Sequence, residues 1–387
     1  MSKTLNVGLV GYKFMGKAHS NAFARLPMFF DPGADIRMKA ICGRDAAGVE
    51  EARRKFGWET AETDYHKLVA RPDIDIVDVT APSDYHKAIV MAAIESGKHV
   101  FCEKPLALNL KDAREMLAAA EKRKVKHQIG FNYRFAPAVQ LAKQMIDAGK
   151  LGKIFHFRGM YLQDWIIDPM FPMVWRLNKD ICGSGSLGDL GAHVIDMAHY
   201  LVGSVKTVTG MSKTFVKQRP VVESMTGLSG KAAANAPMCD VTVDDATVFC
   251  CEFDCGAMGT FEATRFAQGY KNAMSFEING SLGAIRFNIE RINELEFYDA
   301  TAEAGQQGFA MIQASEGGHP YMTHWWPTGH VLGYEHTFVH EMYEFTKAIV
   351  EDGRAEPGFE AGVAVAQVMD AVDLSIDRRA WVDVNTL

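Results

Sequence analysis

A lysine at the end of an apolar run, and an aspartate and a histidine four residues apart, are the groups in this chain whose placement suits moving a proton. Lys104 follows His99-Val100-Phe101-Cys102 and Glu103 and precedes Pro105. A residue before proline is turned away from helical backbone, so its amine projects from a strand end. Asp189 and His193 stand where the glycine-rich loop Gly183-Ser184-Gly185-Ser186-Leu187-Gly188 feeds a helical pattern, and their spacing puts both on one helix face within reach of one ligand. A carboxylate accepts hydrogen bonds and an imidazole donates, accepts or carries a proton near neutral pH, so the pair suits hydroxyl groups. Each residue also has a plainer reading: a surface lysine, an aspartate balancing a helix dipole, a histidine satisfied in a core.

A third constellation opens the chain, where the strand-like run Asn6 to Val10 leads into Gly11-Tyr12-Lys13-Phe14-Met15-Gly16 and then a helical pattern reaching His19. A pyrophosphate can sit on a helix N-terminus when the turn before it is tight and its N–H groups are uncovered, which favours glycine at Gly11 and Gly16. Lys13 replaces the second glycine of the G-x-G-x-x-G pattern. Its amine adds positive charge near a phosphate, while its Cβ holds the ligand off the backbone.

These groups need elements to hold them. Strand-like runs alternate with helical patterns: Leu5 to Val10 then Gly16 to Leu26, Ile36 to Cys42 then Ala46 to Phe56, Ile74 to Thr80 then Tyr85 to Glu95, His99 to Cys102 then Leu110 to Lys122, and finally Val125 to Ile129. Runs apolar on both faces with short connections predict a parallel, doubly wound Rossmann-like α/β sheet over residues 1–131. Ligands bind beyond the carboxyl ends of such strands. Gly11 to Gly16, Thr80-Ala81-Pro82-Ser83 and Glu103-Lys104-Pro105 all fall there.

Residues 132–387 change rhythm, with long alternating strands from Ile154 to Tyr298, a helix over Gly188 to Leu201, and closing helices over Tyr334 to Val350 and Phe359 to Ile376. Hairpin-like connections predict an α+β domain with a large, mostly antiparallel open sheet, one face under helices. A second subunit is the simplest cover for the other face. Pro220 to Asp240, rich in Gly, Ala and Ser, reads as a mobile surface loop, whereas Gly317 to Gly333 is irregular but too aromatic to be only a linker.

The 387 residues are 48% hydrophobic and 23% charged, with a net charge of −7. That balance is ordinary for a globular protein and gives no electrostatic reason to expect nucleic acid or an anionic membrane as partner. Met1 to Gly8 lacks the basic start and long apolar stretch of a signal peptide, and no run is long enough to span a bilayer, so a cytoplasmic protein is expected. Seven cysteines without paired C-x-x-C sets predict reduced thiols and no metal site.

Taken together and in this order, Gly11 to His19, Glu103-Lys104-Pro105 and Gly188-Asp189-x-x-x-His193 resemble the family of glucose-fructose oxidoreductase, inositol dehydrogenase and MocA proteins over essentially the whole chain. The resemblance implies a Rossmann domain plus an α/β domain whose open sheet builds homodimers or homotetramers. It also implies Lys104, Asp189 and His193 as a catalytic trio in a nicotinamide-dependent oxidoreductase. Oxidising a secondary alcohol sends hydride to the nicotinamide while a base takes the hydroxyl proton. Lys104 or His193 would be that base, with Asp189 orienting.

The second strand ends Cys42-Gly43-Arg44-Asp45, with Gly43 aligned where NAD-preferring folds place an acid. Arg44 beside it leans the cofactor, NAD(P), toward NADP; Asp45 swinging in, or Arg44 stacking on adenine, would favour NAD. In the family's fold, Gln163-Asp164-Trp165 and Val174-Trp175-Arg176 should reach the ligands: Trp175 and Arg176 the cofactor, Gln163 and Trp165 the substrate. Asn132, Tyr133 and Arg134, just after the last Rossmann strand, are further substrate candidates. A tryptophan face beside polar tips is usual carbohydrate chemistry. The Leu-Gln-Asp-Trp stretch and the Gly-Ser loop look most like the levoglucosan and 3-keto-glycoside branch, implying oxidation at C3 of a glucose-like ring. Inositol oxidation or keto-sugar reduction is the runner-up, and a non-catalytic nucleotide-sensing regulator is the alternative of another class.

Overall fold

A computed structural model describes residues 3–221 and 235–387. The chain packs as two compact units: residues up to Pro137 with Ser315–Ala366, and Ala138–Ala314 with Gln367–Leu387.

The first unit is built on six parallel strands. β1 (Lys3–Val10), α1 (Phe14–Phe29), β2 (Ala34–Cys42), α2 (Ala46–Phe56), β3 (Thr60–Glu62), α3 (Tyr65–Val69), β4 (Ile76–Val79), α4 (His86–Glu95), β5 (His99–Glu103), α5 (Leu110–Arg123) and β6 (His127–Gly130) alternate along the chain. The strand order β3-β2-β1-β4-β5-β6 is that of the doubly wound dinucleotide-binding fold. The order reverses between β1 and β4, whose register runs from Val7 opposite Ile76 to Val10 opposite Val79. Helix ends are signalled locally: Asp45 caps α2 through the N–H groups of Ala47 and Gly48, and Gly57 closes it in the left-handed conformation.

The second unit contains α6 (Pro137–Asp147), β7 (Ile154–Leu162), α7 (Lys179–Cys182), α8 (Ala192–Leu201), β8 (Val205–Lys213), β9 (Gln218–Pro220), β10 (Met238–Asp240), β11 (Ala246–Phe253), β12 (Met258–Thr264), β13 (Ala273–Gly280), β14 (Gly283–Asn288), β15 (Glu294–Asp299) and β16 (Phe309–Gln313). Nine strands form one sheet, β16-β15-β14-β13-β7-β12-β11-β8-β17, where β17 is Val382–Asp383. All pairings are antiparallel except β12 with β7. Inward residues alternate with exposed ones along β11, with Phe249, Cys251 and Phe253 buried. A Cβ at Gly159 of β7 would collide with Val194 of α8, so glycine there lets the helix lie close on the sheet.

Pro220 to Asp240 is not a plain loop. β9 and β10 pair antiparallel at its two ends, with Met238 opposite Pro220, while residues 222–234 lie outside the described residues.

After Ala314 the chain returns to the first unit. Ser315–Ala366 includes α9 (Tyr334–Val350) and the start of α10 (Phe359–Arg378), a helix whose remainder belongs to the second unit. Phe338, Val339, Met342 and Phe345 of α9 share one core with Leu5, Val7, Phe23 and Phe101. A continuous second domain over 132–387 does not describe this packing, because the apolar face of α9 is complementary to α1 and the parallel sheet. The aromatic segment before α9 is part of the same core: Trp325 packs on Phe29 at 4.2 Å and donates its indole N–H to His340 Nε2 at 2.7 Å. Truncating a fully buried aromatic of this core, such as Phe338, typically costs about 3–5 kcal/mol.

Candidate functional site

Within the first unit, the expected ligand-facing segments gather at the carboxyl ends of the parallel strands. Gly11 has φ +110, and a Cβ there would meet the Thr80 carbonyl carbon at 2.6 Å and the Ala81 nitrogen at 2.8 Å. A Cβ at Gly16 would strike the Gly11 carbonyl oxygen. Both glycines are therefore demanded by close backbone approach, and the resulting cradle is the kind a pyrophosphate occupies. No side chain caps α1, whose N-cap is Lys13. Lys13 has φ −79, so a glycine is not required there, and its Nζ lies 4.8 Å from the Tyr12 ring centroid. Phe14 is 63% exposed at the start of α1 and Met15 packs against the core.

Thr80 closes the cradle, donating its hydroxyl to the Gly11 carbonyl at 2.9 Å. Pro82 opens the short helical turn Ser83–Tyr85. Behind it, His86 sits between the carbonyls of Ala81 and Pro105, at 2.9 and 2.8 Å, and clamps the β4 and β5 ends together. Burial holds the His86 pKa below the usual histidine value.

At the end of β2, a Cβ on Gly43 would run into the Tyr12 ring. The place aligned with the acid of NAD-preferring folds is thus taken by an aromatic ring packed on glycine. Asp45 is engaged as the α2 cap rather than turned toward a ribose. Arg44 donates to the Tyr85 hydroxyl at 2.8 Å and lies over that ring, 4.9 Å from its centroid.

Lys104 follows β5, and its peptide bond to Pro105 is cis. Its backbone N–H donates to Glu103 Oε2 at 3.2 Å. The other Glu103 oxygen meets His19 Nε2 at 2.9 Å, and His19 Nδ1 meets both oxygens of Asp78, at 3.0 and 2.9 Å. Burial alone would depress the His19 pKa; Asp78, and behind it Glu103, overcome this and raise it above the ordinary value. The buried His19 ring therefore bridges two acidic side chains directly behind the Lys104 turn, and burial in turn pushes the Asp78 pKa up. Removing one partner of such a group costs about 3–5 kcal/mol. Sequence reasoning gave His19 no role and missed Asp78, although an aspartate inside Ile76-Val77-Asp78-Val79 must find a buried partner.

Asn132, Tyr133 and Arg134 form a helical turn after β6. Asn132 donates to Thr337 Oγ1 at 2.9 Å, and Tyr133 packs edge-on to Tyr334 at 6.2 Å.

In the second unit, Asp189 and His193 lie on consecutive helical segments. The first, Leu187–Gly191, is a π-helical turn in which the Ala192 N–H reaches back to the Leu187 carbonyl. Asp244, which sequence reasoning did not single out, fastens the preceding loop: its Oδ1 accepts from the Gly185 N–H at 2.8 Å and its Oδ2 from the Leu187 N–H at 2.9 Å and the Ser186 hydroxyl. His193 is 6% exposed, its ring 5.9 Å from that of Tyr161. The Asp189 carboxylate pairs with buried Arg265 at 2.9 Å. No spacing distinguishes Arg265 in the sequence.

Gln163 and Trp165 are brought together, the indole N–H donating to Gln163 Oε1 at 2.8 Å, while Gln163 Nε2 donates to Asn272 at 2.9 Å. Arg176 lies over Trp175, 4.3 Å from the ring centroid.

Residues 5–131 match the oxidoreductase family with an NAD-binding Rossmann fold, and residues 139–286 match the GFO/IDH/MocA C-terminal domain. The levoglucosan dehydrogenase of Pseudarthrobacter phenanthrenivorans is 42% identical over 385 residues, covering 99% of this chain and 98% of the relative. A solved structure of a levoglucosan dehydrogenase in complex with NADH and levoglucosan, 42% identical, superposes with a TM-score of 0.93, covering 99% of this chain and 100% of that one. An oxidoreductase domain protein from Kribbella flavida superposes equally well, TM-score 0.93, at 46% identity over 99% of each chain. Two matched domains and a full-length relative leave one conclusion: the chain belongs to the GFO/IDH/MocA family of nicotinamide-dependent oxidoreductases.

Proposed function

We propose that the protein oxidises a secondary hydroxyl, at C3 of a glucose-like anhydrosugar or glycoside, using NAD(P). The observation that carries this reading is Lys104 at the β5 end, in the same row of strand ends as the Gly11–Gly16 cradle. When bound, the nicotinamide supplies the hydride acceptor. Gly11, Lys13, Phe14, Met15 and Gly16 would hold the pyrophosphate, Gly43 and Arg44 the adenosine, and Thr80, Pro82, Glu103 and Lys104 the nicotinamide half. Trp175 and Arg176 of the second unit would complete the cofactor contacts. Lys104 exchanges the hydroxyl proton, His193 hydrogen-bonds or relays it, and Asp189 orients the hydroxyl. Gln163, Trp165, Asn132, Tyr133 and Arg134 would serve the remaining sugar surface. The sugar class is supported by the levoglucosan complex of the 42% identical relative.

The test is a screen of reduced-cofactor formation across levoglucosan, glucosides and inositols, with both cofactors. Turnover should be highest on a ring with a free C3 hydroxyl and vanish on its 3-deoxy analogue. Cofactor binding without turnover on any secondary alcohol would overturn the enzyme reading in favour of a sensor.

Within NAD(P), Arg44 supports a lean to NADP, because no acid from the Gly43-Arg44-Asp45 turn is free for a ribose hydroxyl. The NADH complex of the 42% identical levoglucosan dehydrogenase supports the other reading, in which Arg44, lying over the Tyr85 ring, would stack on adenine. A charge-assisted contact to a 2′-phosphate is worth about 1.5–3 kcal/mol. Arg44→Ala should then raise the KM for NADP by about ten- to a hundredfold more than that for NAD. Equal changes for both cofactors, in an enzyme preferring NAD, would overturn the lean.

The seven unpaired thiols suit a reducing, cytoplasmic setting. No helix among the described residues is long and apolar enough to cross a membrane. Exposed Met160, Met211, Val248, Met258 and Met311 stud the nine-stranded sheet, a surface suited to a second copy in a homodimer or homotetramer. Val248→Asp should reduce the mass seen by light scattering to one chain with circular dichroism unchanged. An unaltered oligomer would move the interface elsewhere.

A further inference from the structure

The reading above gives Asp189 to the substrate, and the group behind Asp189 deepens it. Arg265 follows β12 with its side chain 1% exposed, whereas Asp189 is 28% exposed. One Arg265 nitrogen, Nη2, donates to Asp189 Oδ2 at 2.9 Å and to the Gly185 carbonyl at 3.2 Å, and Nη1 donates to the Arg176 carbonyl at 3.4 Å. The guanidinium carbon lies 5.8 Å from the Trp165 ring centroid. A single buried cation thus touches the Gly-Ser loop, the π-turn carrying Asp189, the Trp175-Arg176 segment and Trp165. Its Nε has no acceptor among the described residues.

A cation is an expensive staple for carbonyls, since burying one costs several kcal/mol unless an anion compensates it. Of the other charges near Arg265, Asp245 accepts the N–H groups of Phe215 and Val216 through Oδ2 alone, and its Oδ1 has no hydrogen-bond partner among the described residues. Arg219 donates to the carbonyls of Ile166, Asp168 and Phe171, and Asp244 fastens the Gly-Ser loop. The Cys182 thiol also lies in the field of Arg265, Asp189 and Asp244, and burial pushes it up to about 11, keeping it neutral. Asp189 is the carboxylate that Arg265 pairs with, one oxygen turned inward to the cation.

We propose that Arg265 is a positioning residue for the sugar oxidation: it fixes the Asp189 carboxylate as a charged acceptor for a substrate hydroxyl and ties that acceptor to the Gly185 loop and the Arg176 backbone. Because the guanidinium fork reaches three segments at once, charge and geometry are separable by substitution.

The experiment compares Arg265→Gln, Arg265→Lys, Asp189→Asn and the Arg265→Gln/Asp189→Asn pair in the full chain, with levoglucosan or the sugar that the screen ranks above it. Arg265→Gln should raise the sugar KM about tenfold or more and move the acid limb of kcat/KM upward by about one pH unit or more, since a carboxylate losing an adjacent cation holds its proton more tightly. Arg265→Lys should keep the acid limb in place but retain a raised KM, as one ammonium cannot span the three acceptors. In the Asp189→Asn background, Arg265→Gln should no longer move the limb. If Asp189→Asn impairs turnover while Arg265→Gln lowers only the melting temperature, with KM and acid limb unchanged, the proposal is overturned and the site reading stands. Should Arg265→Gln fail to fold, Arg265→Lys decides alone: a raised KM with the limb held supports the proposal, and an unchanged KM overturns it. If Asp189→Asn leaves both kcat and KM unchanged, the role of Asp189 falls and takes this one with it.

Discussion

Lys104→Ala is expected to lower kcat by about 10²- to 10⁴-fold, the usual contribution of a positioned proton acceptor. Cofactor affinity, measured by fluorescence titration with NADH and NADPH, should change little, because the cradle depends on Gly11, Gly16 and Thr80 rather than on the Lys104 amine. The fold should persist as well, since His19 keeps Glu103 and Asp78 whatever side chain follows Glu103. That combination separates lost chemistry from lost binding. Turnover within about threefold of the unsubstituted enzyme would remove Lys104 from the mechanism.

Asp189→Ala and His193→Ala should each depress turnover strongly, and adding Lys104→Ala to either should cost little more, because groups handling one proton act as a unit. The two substitutions should differ in stability. His193→Ala leaves a gap in a well-packed region, whereas Asp189→Ala strips the buried Arg265 of its counter-ion, at about 3–5 kcal/mol. Asp189→Asn, which keeps the shape, is the better kinetic probe. Full multiplication of single effects in the double variants would show that Lys104 and the Asp189–His193 pair do separate jobs.

The parallel sheet was legible because most of its strands are apolar runs set between helical patterns, whereas β3 and α3, three and five residues long, went unread for want of a period. Gly11 and Gly16 were legible for the same reason that they are needed: backbone approaches backbone, and only glycine permits it. The origin of Ser315–Ala366 was hidden, because an apolar helix face says that it must be buried and not where. The short strands β9 and β10 were hidden because three residues carry no readable period. Asp78 gave a warning as a charge within an apolar strand, while Arg265 and Asp244 gave none. Their importance lies in partners 76 and 59 residues away in sequence, distances that no local pattern encodes.

The return of the chain to the first unit sets a timetable for biosynthesis. The stretch up to Pro137 leaves the ribosome well before its partner Ser315–Ala366 exists, and the 177 residues of Ala138–Ala314 must be made between them. At about 5–20 residues per second, that interval is about 9–35 seconds. Throughout it, the surfaces of Phe23, Leu26 and Phe101 that Phe338, Met342 and Phe345 later cover have no native partner. The nascent dinucleotide-binding half is thus born with an apolar flank open, a natural client for chaperones that bind early chains. Closing the loop itself adds little, since the entropy of bringing distant ends together grows only logarithmically with length. The delay is therefore one of synthesis rather than of folding, and the nucleotide-binding half can reach its final packing only when most of the chain has been translated.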